Sequence, residues 1–214
     1  MFFPIYPIIE AAVLASSLSI DAFTAGFAYG SKKIRIPMSS VQIITLISCA
    51  TLGVAMFFGQ LLKPYLPGGL AVGIAFAVLF TIGLVKLMDG IVKNIIRKYT
   101  RIDKAFRFSV FDINFILRLY ANPEDADADT SAHLSPAEAV ALAVSLSLDG
   151  LAVGFGAALA GVNPWVLIGW SLVTNMAAIL LGRRFGHALA QRLSFNISWV
   201  GGAALMALAV GMLF

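Results

Sequence analysis

Charge is what this chain has least of. Only 12% of its 214 residues are Asp, Glu, Lys or Arg, about half the usual share in a soluble domain, while 60% are hydrophobic and mean hydropathy is +0.91. That balance excludes a soluble globular class and predicts an all-α integral membrane protein whose first partner is the lipid bilayer. Cysteine is nearly absent. The lone Cys49 rules out an internal disulfide, and its place inside an apolar run marks it as a small core residue. Histidine is almost as rare, and His133 and His187 show neither H-x-x-x-H nor H-E-x-x-H spacing, so neither is assigned a metal or a reaction. The N-terminus, Met1-Phe2-Phe3-Pro4, lacks the basic stretch of a cleavable signal peptide. The run after it carries Glu10 and Asp21 and is expected to stay as the first span. The net charge of +4 does not imply nucleic acid, because the basic residues sit in short stretches beside apolar runs.

Six apolar runs are long enough to cross a bilayer, which takes about 20 residues each: 5 to 30, 39 to 62, 68 to 92, 137 to 161, 164 to 186 and 194 to 214. The connections between them differ in charge. The first, third and fifth carry thirteen Lys and Arg, the second has only Lys63, and the fourth, Gly161 to Pro164, has none. By the positive-inside rule the odd connections are cytoplasmic and both termini lie outside.

Two of these spans hold the same motif. Ser17-Leu18-Ser19-Ile20-Asp21 returns as Ser145-Leu146-Ser147-Leu148-Asp149, at an offset of 128 that also pairs Glu10 with Glu138, Gly26 with Gly154 and Phe27 with Phe155. Ser48 and Thr51 return as Ser171 and Thr174 at an offset of 123. Three spans per copy is an odd number, so the second copy enters the membrane in the opposite direction. The expected fold is six transmembrane helices arranged as two inverted-topology three-helix repeats, 1-93 and 137-214, joined by a cytoplasmic linker, 94-136.

An ionised carboxylate in lipid costs several kcal/mol, with estimates from roughly 3 upward. Asp21 and Asp149 must therefore face the bundle interior and meet a cation, a proton or a partner. Ser17 and Ser145 lie one turn before them on the same helix face, and Glu10 lies three turns before Asp21. Gly26 and Gly154 would permit a bend that exposes carbonyls. Ser171, Thr174 and Asn175 of the fifth span either complete a coordination shell or hold helices together. The candidate metal ligands are Asp21, Asp149, Ser17, Ser145, Glu10, Glu138 and Asn175, an oxygen set that suits Mn²⁺, Mg²⁺ or Ca²⁺ rather than Zn²⁺ or Cu⁺. Lys86 and Asp89, three residues apart in the third run, read as an interfacial ion pair or a snorkelling lysine.

The linker offers a second candidate metal loop. Its stretch Phe106 to Tyr120 mixes aromatic and basic residues and suggests an interfacial segment. Beyond it, Asp127, Asp129, Ser131, Ser135 and Glu138 fall at positions 1, 3, 5, 9 and 12 of EF-hand spacing, with Ala132 where glycine is usual and Pro136 at position 10. Glu138 thus has two competing roles, repeat mate of Glu10 or last ligand of this loop.

These residues resemble a known family. The paired aspartate motifs, six spans and inverted halves look like the manganese efflux pump (MntP-like) family. Tyr29-Gly30, Lys32-Lys33-Ile34-Arg35-Ile36-Pro37 and the linker running from Pro123 into Ala141 to Asp149 are similar to its sporulation membrane protein (YtaF-like) branch. The resemblance implies a multipass bacterial inner-membrane protein that exports Mn²⁺, with Asp21 and Asp149 in the pathway. It differs in the second helix, where Val41 to Leu62 holds no acid. The leading expectation is a divalent cation (Mn²⁺) efflux transporter, with Ca²⁺ as the other candidate ion. The alternative is a nontransporting sporulation or envelope protein whose linker binds Ca²⁺ or a partner. An enzyme is not expected, since neither aspartate has the Tyr-Asp or Gly-x-Gly-Asp context of intramembrane proteases, and no cofactor is implied. The sequence does not set an oligomeric state.

Overall fold

The computed structural model describes residues 5–88, 132–189 and 198–211. These residues are helical apart from short connections and one isolated parallel bridge, Arg35 with His133. Helix α1 spans Ile5–Ser31, α2 Met38–Leu62 and α3 Gly68–Leu87, with a 3-10 turn at Lys63–Tyr65; α4 spans Pro136–Leu146, α5 Leu148–Ala160, α6 Pro164–Leu189 and α7 Ser198–Gly211. Four helices (α1, α2, α3 and α6) are long and apolar enough to cross a membrane, and α4 with α5, bent by 46°, passes the same test as a pair, as a broken span or a re-entrant loop. The sixth expected run is described only over α7. Large apolar side chains such as Leu46, Val54, Phe57, Phe58 and Leu61 on α2 and Val173 and Leu181 on α6 are exposed. Lipid tails are the solvent that tolerates such a surface.

The bend corrects one expectation. It falls at Ser147 and not at Gly154, and α1 runs unbroken through Gly26. Ser147 Oγ donates to the Ala143 carbonyl one turn back, a back-bond that bends helices, and Ser147 both ends α4 and begins α5. The two glycines serve as contact points. A Cβ on Gly26 would meet the Ile179 carbonyl oxygen at 2.5 Å, and one on Gly154 would lie 3.0 Å from that of Leu52. Gly30, Gly182 and Gly186 complete a seam in which α1 and α6 pack backbone against backbone. Interfaces of small residues are how membrane helices approach closely.

Helix ends are built from local chemistry. Asn163 Oδ1 accepts the Trp165 and Val166 amides ahead of Pro164, while Gly161, at φ 97°, closes α5 in a left-handed turn. Ser135 and Glu138 form a reciprocal capping box at the start of α4, with Pro136 in the first turn and buried Leu134 and Ala139 in one core cluster. Ala132 adopts φ 57°.

Helix α1 packs on α6 and α7, α2 on α4, α5 and α6, and α3 on α5 and α7. The α1–α2 connection meets the chain entering α4 through Arg35 N–H to Ala132 O (2.8 Å) and Leu134 N–H to Arg35 O (3.0 Å), and it meets α6 through Arg183 Nη1 to Ile36 O (2.7 Å). The α1–α2 connection, the entry to α4 and the late turns of α6 therefore share one end of the bundle. At the other end, Lys63 approaches Gly161. Two apolar cores fill the bundle: one holds Tyr29, Ile44, Leu142 and Ile179, the other Leu14, Leu52, Leu79, Val153 and Leu205.

Candidate functional site

Where the two cores meet, α1, α3 and α5 bring three charged side chains together. Lys86 Nζ donates to Asp21 Oδ2 at 2.7 Å and lies 2.7 Å from Asp149 Oδ2, the second contact being ionic without hydrogen-bond alignment. The Ser17 carbonyl also faces the ammonium, at 3.4 Å. Lys86 is 3% exposed, Asp149 10% and Asp21 15%. Two carboxylates this close repel each other unless a cation stands between them, and one ammonium leaves one negative charge in excess. The group is thus a pair of carboxylates bridged by one tethered ammonium.

The break at Ser147 shapes this site. It puts Asp149 in the first turn of α5, where Oδ1 accepts the Gly150 amide at 2.8 Å. A helix N-terminus favours negative charge. Asp21, by contrast, sits in mid-helix and relies on Lys86.

A small cavity adjoins Asp149. Its volume is about 20 Å³, room for roughly one water, and Ser48, Ser147, Ser171 and Asn175 line it with Asp149. Ser171 is 2% exposed, yet its hydroxyl has no hydrogen-bond partner.

The structure assembles some of the expected ligands and separates others. Asp21 and Asp149 converge, and Asn175 borders the cavity. Ser17 turns its hydroxyl back to the Val13 carbonyl (2.9 Å), so its carbonyl alone faces the ammonium, and Ser145 is fully buried within α4. Glu10 lies eleven residues before Asp21 on α1, about 16 Å along the axis at 1.5 Å per residue, and is outside the cluster. Glu138 Oε2 accepts the Ser135 amide at 2.9 Å, a capping role that neither sequence reading had named. Thr174 accepts from Ser19 Oγ at 2.8 Å, which links α6 to α1. Asp89, Asp127, Asp129 and Ser131 lie outside the described residues. Among the described residues no three His, Cys, Asp or Glu side chains gather as a metal cage. Cys49 is buried and free.

Sequence reasoning undervalued Lys86, which is no interfacial residue but the centre of the charged group. One signal was available: two aspartates and one lysine within apolar runs need one another. Ser171 gave a weaker signal, as a polar residue that recurs at the offset of 123.

A family model described as "Putative manganese efflux pump" matches residues 69–213. "Probable sporulation protein YtaF" of Bacillus subtilis (strain 168) is 27% identical over 180 residues, which are 84% of this chain and 86% of that protein. No solved structure matches the chain.

Proposed function

The chain belongs to the MntP family, and from that membership we propose that it exports a divalent cation, Mn²⁺ first, across a bacterial inner membrane through a midplane site formed by Asp21 and Asp149. One observation carries the reading: carboxylates from two different helices converge on a single buried cation, Lys86 Nζ. A site that holds an ammonium between two carboxylates has the charge and the oxygen donors to hold a divalent ion when the lysine yields. Transport then alternates between the two occupants.

The fold we propose is six spans in two inverted repeats, and the helix partnerships support it. Exchanging α1 with α4/α5, α2 with α6 and α3 with α7 turns the α1–α6 contact into α5–α2 and the α3–α5 contact into α7–α1, and both members of each pair occur. The glycine contacts follow the same exchange. Gly26 and Gly182 mark the α1–α6 seam, and their repeat mates Gly154 and Gly59 mark α5–α2. In such transporters the site sits at the repeat interface, beside a broken helix. The described residues hold nothing that favours the nontransporting alternative.

The test is export of Mn²⁺ from loaded cells. Asp21→Asn and Asp149→Asn should each slow it by about tenfold or more, equivalent to roughly 1.4 kcal/mol or more of lost ion stabilisation. Export at the wild-type rate in either variant, at matched protein levels, would remove this reading.

A further inference from the structure

The cavity beside Asp149 has a symmetry that its size does not suggest. Its lining contains Leu18 with Leu146 and Ala22 with Gly150, mates at the offset of 128, and Ser48 with Ser171 and Leu52 with Asn175, mates at 123. Four repeat pairs around one small space place it on the axis relating the two halves. Three features break the symmetry. Asp149 and Ser147 border the cavity while Asp21 and Ser19 do not, and Asn175 stands where the other repeat has Leu52. An apolar residue serves packing at the mate position, so the amide is not required for packing.

Buried hydroxyls nearly always find a partner, and Ser171 has none. Asp149 Oδ2 meets Lys86 at 2.7 Å, and the same residue lines the cavity. Asp149, Ser171 and Asn175 around a space of one-water size offer a carboxylate, a hydroxyl without a partner and an amide, whose oxygens make a hard-donor set. We propose that the transported ion is bound in this cavity by Asp149, Ser171 and Asn175, and that Ser171 sets the preference for a hard divalent cation. Asp149 serves both places, since it lines this cavity and forms with Asp21 the pair that Lys86 occupies until it yields. This inference rests on the aspartates being the transport site.

Thermal stabilisation of the purified full-length protein by Mn²⁺ and by Cd²⁺ tests it, with binding constants taken from the dependence on ion concentration. Ser171→Cys, a near-isosteric change, should shift the Cd²⁺-to-Mn²⁺ affinity ratio by about tenfold or more toward Cd²⁺, because thiolate is a soft ligand. Asn175→Leu, which installs the residue of its repeat mate, should weaken Mn²⁺ binding by about tenfold or more while the metal-free unfolding temperature holds. If Asn175→Leu does not fold, Ser171→Cys decides alone. Wild-type Mn²⁺ affinity and an unchanged ion ratio in Ser171→Cys mean that the cavity holds a water only, and the inference falls. In that case wild-type export that still depends on Asp21 and Asp149 leaves the transport reading standing. A wild type that neither binds nor exports Mn²⁺ removes both.

Discussion

At the scale of the residue, Lys86 holds the two aspartates in place. Removing one member of a buried ionic group leaves the others uncompensated, at a cost of about 3–5 kcal/mol. Lys86→Met keeps the length and apolar stem but leaves two adjacent carboxylates, 10% and 15% exposed, with no cation between them. The expected outcome is a protein that unfolds well below wild type in metal-free detergent and regains much of the difference in excess Mn²⁺. A metal-free unfolding temperature equal to wild type would show that Lys86 does not balance the carboxylates. The aspartates were legible in the sequence because they repeat at one offset inside apolar runs. Lys86 was not, because its partners lie 65 and 63 residues away on other helices, and the nearby Asp89 offered a false local explanation. Glu138 was ambiguous for a related reason, since one carboxylate satisfies repeat spacing, loop spacing and the capping box at once.

At the scale of the element, glycine does opposite things on different helices. Gly73 on α3 has open space where a Cβ would go, whereas Gly26 on α1 faces the α6 backbone. Gly73→Ala should be neutral or stabilise by up to about 1 kcal/mol through helix propensity. Gly26→Ala gains the same propensity but forces α1 off α6, and overpacking of this kind costs about 1–3 kcal/mol. Thermal unfolding of the two variants in the same detergent should separate them in that order, and the reverse order would refute the backbone contact. The pattern of apolar runs revealed where the helices are, to within a few residues, because length in lipid is fixed by bilayer thickness. It could not reveal which glycine is a hinge, since that depends on the facing helix. Gly154 was read as a hinge and is a contact, while the bend fell to Ser147, whose hydroxyl competes for a backbone carbonyl of its own helix.

At the scale of the whole molecule, the contacts gather particular helix ends at one end of the bundle, and the basic residues predict which end faces the cytoplasm. Arg35 and Ile36 meet the entry to α4 and the late turns of α6 at one end, and Lys63 meets Gly161 at the other. Thirteen of the fifteen Lys and Arg fall in the first, third and fifth connections of the sequence, and such a bias predicts that the end holding Arg35 and Arg183 faces inside. Tyr65 and Trp165, at 81% and 84% exposure, lie at the opposite end, as aromatic residues do where helices leave the bilayer. Single cysteines test this directly, because the native Cys49 is buried at 7% exposure and adds little background. A membrane-impermeant maleimide applied to intact cells should label Tyr65→Cys and Trp165→Cys. Lys32→Cys and Arg184→Cys should react only after the membrane is opened. The opposite pattern would keep the arrangement and invert its orientation, so that the thirteen basic residues face outward against the bias. Split behaviour within either pair would break the shared-end arrangement, and with it the proposed inverted repeat in which Asp21 and Asp149 meet from opposite directions.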